Sequence, residues 1–176
     1  MRVLLIALLL AACTKPAAVE AGADDGRGAL VALIADAWPS TPGNDRTGCV
    51  TAELAPSLGM VRGTGGRWSS ASAGGSAGAI DAALAARLDR LLAGAQREAP
   101  VTGQPITADM LPHGLRLGCH DEQERLSFST PVVVGNIAFI QRDHVCGGLC
   151  GSGTLIALER RGQAWVPLAR LGLWIS

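Results

Sequence analysis

Asp143-His144-Val145-Cys146-Gly147-Gly148-Leu149-Cys150-Gly151-Ser152-Gly153-Thr154 is the stretch whose reading decides the fold. It holds two of the chain's five cysteines and four of its glycines. Apolar runs flank it, residues 132–140 before and 155–158 after, and both have the character of strands. Two strands joined by a glycine-rich turn, with a cysteine on each side of that turn, make a hairpin clasped at its tip. Outward from the clasp the last fifty or so residues continue as an antiparallel meander. Its strands cover residues 126–130, 132–142 and 153–159, then, after an Arg161-Gly162 turn, 164–170 and 171–176. Residues 137–141, Ile-Ala-Phe-Ile-Gln, are its best alternating segment. Pro167 has no N–H for a ladder and so belongs at an edge or a bulge.

Upstream, the pattern turns helical. Ile80, Ala83, Leu84, Leu88, Leu91, Leu92 and Ala95 form one apolar stripe, Asp81, Asp89, Arg90 and Arg97 lie off it, and Pro100 ends the segment. Ser76 is the expected N-cap. A second stripe, Leu30, Leu33, Ile34, Ala37 and Trp38, predicts a helix over residues 27–38 stopped by Pro39, with Trp38 as a core residue. Residues 49–51 and 115–119 read as short strands, and the Gly/Ser-rich tract 63–78 as the least ordered part. The economical assembly is an α+β domain over residues 25–176, its antiparallel C-terminal sheet packed by one or two helices on one side.

Composition narrows the partners. The chain of 176 residues carries 15 basic and 15 acidic side chains, so no basic surface is implied and nucleic acid is not an expected partner. That length suits one domain with a real core.

The N-terminus gives an address. Arg2 supplies a positive n-region, and residues 3–12 are an uninterrupted apolar run. Such a run has the length of a signal h-region and falls well short of the roughly 20 residues a spanning helix needs. It closes on Leu10-Ala11-Ala12-Cys13. This segment resembles the bacterial lipoprotein family, whose lipobox places a small residue directly before the cysteine that is lipidated and becomes the new N-terminus. The resemblance matches all four positions and covers residues 1–13 alone. It implies a signal peptide over 1–12, lipidation at Cys13 with fatty chains such as palmitate, and a tether over 13–24. At about 0.8 kcal/mol per buried CH₂, two or three chains hold a protein on its membrane, on the periplasmic side of the envelope. Thr14 stands where the family's inner-membrane retention signal has Asp, which favours the outer membrane.

With Cys13 taken by lipid, four cysteines remain in an oxidising compartment. Four thiols allow three pairings. Cys146 and Cys150 are near enough across their turn for the roughly 5.5 Å Cα separation of a disulfide, which leaves Cys49 with Cys119. The second bridge would close a loop of about 70 residues, worth about 4 kcal/mol by chain entropy.

A zinc site would recruit Cys119, His120, His144, Cys146 and Cys150, but their spacing matches no usual ligand pattern, so no metal and no cofactor is expected. Cys146 and Cys150 as a thiol–disulfide oxidoreductase pair is the rival function, although Cys-x-x-x-Cys departs from the Cys-x-x-Cys of thioredoxin-like sites. Gly74-Gly75-Ser76-Ala77-Gly78 matches the Gly-x-Ser-x-Gly elbow formally, without the strand that would expose its serine. Asp121, Glu122 and Glu124 read as a solvated turn and His113 as a loop residue, so no catalytic residue is named. The tail, Cys-Gly-x-Leu-Cys-Gly-x-Gly followed by Gly-x-x-Trp and Leu-Trp-Ile-Ser, resembles a segment of other exported bacterial proteins to which no activity is attached. The expectation is a lipid-anchored envelope protein acting by binding, with the membrane and an envelope protein as its partners.

Overall fold

A computed structural model describes residues 24–38, 47–56, 67–71, 78–95, 105–119, 124–147 and 150–176. Within them the chain runs α1 (Asp24–Ala37), β1 (Gly48–Val50), β2 (Trp68–Ser70), α2 (Ala82–Ala95), β3 (Leu115–Leu117), β4 (Arg125–Phe128), β5 (Val132–Val134), β6 (Ile137–Val145), β7 (Gly151–Arg161) and β8 (Ala164–Ile175). All eight strands join one sheet in the order β2-β8-β7-β6-β4-β1-β3, with β5 also on β6. The α+β class holds, but the sheet is mixed. β1 lies parallel to both β3 and β4, while the pairings among β4 to β8 and of β2 with β8 are antiparallel.

The core explains the layering. Ala138 and Ile140 of β6 pack with Ile156 and Leu158 of β7 against Ala29, Leu30, Leu33 and Ile34 of α1. Ile137 and Phe139, the alternate residues of the same strand, pack with Leu155 and Ala157 against Leu88, Leu92 and Ala95 of α2. Successive strand side chains point to opposite faces, so α1 and α2 cover opposite sides of the sheet. This corrects the expectation of helices on one side. All four residues from Ile137 to Ile140 are fully buried, so the segment read as alternating is apolar on both faces, as a strand covered on two sides requires.

Local chemistry sets the element ends. Asp81 Oδ1 accepts the Ala83 and Leu84 amides at 2.8 and 3.2 Å and caps α2, so the cap is Asp81 and not Ser76, which falls outside the described residues. The expected single strand over 132–142 is broken by a Gly135-Asn136 turn, Gly135 taking φ +62°, into the β5–β6 hairpin. The two expected C-terminal strands are one. β8 spans both because Leu168 and Leu173 are extra residues at two register shifts against β7. Pro167, beside the first shift, pairs with Leu158 where β2 does not reach. The tract read as least ordered holds β2, in which Trp68 is buried, tilts against Phe139 with ring centroids 6.3 Å apart, and donates its Nε1–H to Asp89 Oδ1 at 2.7 Å.

Candidate functional site

The cysteines fall into two pairs at disulfide distance. Cys49 and Cys119 have Cα atoms 5.2 Å apart, and Cys146 and Cys150 5.1 Å. The first pair ties β1 to the chain leaving β3, beside the register partners Val50 and Leu117. β3 is the edge strand at one end of the sheet, and its shortness together with this tie limits the open edge it offers. The second pair closes the turn between β6 and β7, where the Cys146 amide also donates to the Cys150 carbonyl at 2.9 Å. Cys150 is exposed there and Cys146 partly buried.

Next to that turn the sheet becomes polar on both faces. On the α2 side, β6 carries Gln141 and Asp143. The Gln141 amide donates to both Asp143 carboxylate oxygens at 3.1 Å, and the Trp174 indole N–H reaches Asp143 Oδ1 at 3.1 Å. Asp143, Gly153 and Trp174 are successive register partners across β6, β7 and β8. The indole therefore crosses over β7, and a Cβ on Gly153 would collide with both the ring and the carboxylate. Two glycines assigned from sequence to the clasp, Gly151 and Gly153, thus lie in β7 and make the seat for Trp174.

On the α1 side the same strands carry Arg142 and His144, in phase with Ala138 and Ile140, and Ser152 and Thr154, in phase with Ile156. His144 Nε2–H donates to Glu124 Oε1 at 2.8 Å, and both side chains are largely buried. Arg170 of β8 donates through Nη2 to Asp36 Oδ2 in the last turn of α1 at 2.8 Å. Among the described residues Arg142 has no such acceptor, and the Nε atoms of Arg142 and Arg170 are both sealed from solvent without a partner there. Burial lowers the Arg142 pKa from its ordinary value, the neighbouring Arg170 lowers it further, and Asp36 opposes both. An arginine stays protonated even so, which leaves a partly desolvated cation at this end of the sheet.

The other sequence candidates are dispersed. Glu124 serves His144, and His113 is exposed in the turn before β3. His120, Asp121 and Glu122, the Ser76 elbow, and Cys13 with its lipobox lie outside the described residues. Of the five ligands imagined for zinc, three are cysteines whose sulfurs stand at disulfide distance from another cysteine, and among the described residues no three His, Cys, Asp or Glu side chains converge as a metal-holding group. No described helix is long and apolar enough to cross a membrane. Arg142 and Arg170 were not singled out from sequence. Their signal was present, since each is a charge placed in core phase, Arg142 two residues after Ile140 and Arg170 between Ala169 and Leu171. No protein-family model matches the chain, and no curated protein or solved structure is similar to it.

Proposed function

We propose that this is a lipid-anchored cell-envelope protein that works by binding, as an accessory factor, with Cys13 as its lipid carrier and the outer membrane as its site. The observation that carries the reading is the cysteine pairing. Four of the five cysteines stand in two disulfide-distance pairs, and the odd one is the cysteine that closes the lipobox. Two disulfides suit an oxidising compartment, and a lone fifth cysteine suits consumption by lipid. Cys13→Ser should abolish incorporation of a labelled fatty acid and leave unprocessed or loosely bound protein. Labelling that persists in that variant would remove the basis of the anchor.

A second reading, thiol–disulfide exchange at Cys146 and Cys150, is favoured by the exposure of Cys150 at the rim of the sheet. The two readings separate in a Cys146→Ser, Cys150→Ser variant. A binding protein keeps its cellular partner in detergent pull-down, whereas an oxidoreductase loses every mixed disulfide that can be trapped from the envelope.

A further inference from the structure

We propose that Arg142, with Thr154 and Arg170 beside it, is the receptor for one carboxylate group of the protein's ligand, an inference that rests on the binding reading and gives it a chemistry. Two guanidinium groups and one carboxylate, that of Asp36, meet on the α1 face beyond the apolar core. Asp36 is bonded to Arg170 and the second carboxylate on this face, Glu124, to His144, so neither is hydrogen-bonded to Arg142. Its Nε is buried with no partner among the described residues, while its Nη atoms are not among the atoms so sealed. Buried charges are ordinarily paired, because removing an ion from water costs several kcal/mol unless a counter-ion and hydrogen bonds replace the hydration. Arg142 has met part of that cost at Nε, and no described residue offsets it there.

The space beside it is shaped for the missing partner. Thr154 is the register partner of Arg142 on β7, and Gly172 is the register partner of Thr154 on β8. A Cβ on Gly172 would meet no described atom within 4 Å, so the sheet presents an open step there, floored by Thr154 and flanked by the two arginines. A carboxylate on that step can take the planar fork of Arg142, as Asp36 takes Arg170, and the Thr154 hydroxyl can donate to its second oxygen. A carboxylate repeats there the pairing that Asp36 makes with Arg170. The other acidic group on this face, Glu124, is already engaged by His144.

The buried Nε–H groups of Arg142 and Arg170 give the test its probe, because protection from water slows their exchange and makes their nitrogen–proton resonances observable. The full chain, purified in detergent micelles, is titrated with sodium acetate against sodium chloride at constant ionic strength. Arg142→Lys and Arg170→Lys variants assign the two signals. The Arg142 signal should move to saturation with acetate, and Arg142→Lys should weaken the remaining response at least tenfold. Movement without saturation, an undiminished response in Arg142→Lys, or saturation by inorganic phosphate and not by acetate would each overturn the assignment. Melting provides a second arm. Arg142→Met should melt higher than the parent in chloride and gain nothing from acetate; a lower melting temperature would make Arg142 a structural counter-charge to Asp36 instead. Repeating the titration on Cys13→Ser protein keeps a failed anchor distinguishable from a failed receptor.

Discussion

β6 has two unlike halves. From Ile137 to Ile140 it is apolar toward both helices and fully buried, and Phe139, Ile140 and their β7 partners are sealed from water. From Gln141 to His144 it is polar on both faces, with Asp143 gathering Gln141 and Trp174 on one side and Arg142 left without an acceptor among the described residues on the other. The first half contributes stability without direction, since apolar contacts depend mainly on area. In the second half Gln141, Asp143 and Trp174 are held in fixed geometry by one another.

The strongest test of this division is Phe139→Ala. Loss of a buried phenyl group between α2 and Trp68 should cost about 3–5 kcal/mol in denaturant unfolding. Next come the cysteine pairs. Replacing Cys49 and Cys119 by serine removes a constraint on a loop with a sequence separation of 70, worth about 4 kcal/mol. Replacing Cys146 and Cys150 removes one with a separation of 4, worth about 2 kcal/mol, and the protein should remain folded. Non-reducing peptide maps should show Cys49 joined to Cys119; a peptide joining Cys119 to Cys146 or Cys150 would contradict this.

The smallest effects should come from glycines in the polar half. Gly153→Ala should unseat Trp174, shift tryptophan emission to longer wavelength and cost about 1–3 kcal/mol, because the new methyl group meets both the indole and Asp143. Gly172→Ala, in open space, should stay within about 0.5 kcal/mol of the parent. Equal losses at Gly153 and Phe139 would mean that the polar half is as much a part of the core as the apolar half, and the division would fail.

Much of this was legible in residue pattern. The stripe Leu30, Leu33, Ile34 marks α1, that of Leu88, Leu92, Ala95 marks α2, and the clasp locates the β6–β7 connection. What escaped had tertiary causes. β1, β2 and β3 have three residues each, too few to show a period, and direction leaves no trace in composition, so the parallel pairings of β1 were invisible. β2 exists because the Trp68 indole has a pocket on α2 and Phe139, not because Trp-Ser-Ser favours extension. The two-sided burial of β6 escaped because Ile-Ala-Phe-Ile-Gln reads as an alternating segment, whereas Ile137 to Ile140 are apolar toward both helices. The bulges at Leu168 and Leu173 each invert the phase of β8, which made one strand read as two. Of the candidate site, the cysteines stood out by spacing, while Arg142 needed its strand's phase to be known before its charge looked out of place.

The order of the cysteine pairs has a consequence for how such a chain could be made. Cys49 pairs with Cys119 and Cys146 with Cys150, so each bridge joins cysteines that are consecutive in sequence after Cys13. A chain threaded through a membrane N-terminus first presents Cys49 alone, then Cys119, while the last two thiols are still inside. Oxidation in order of arrival therefore yields the native bridges without reshuffling. Strand pairing keeps the opposite schedule, since β1 waits for β3 and β4, and β2 for β8, the last strand to emerge. The covalent frame can be set before the sheet closes.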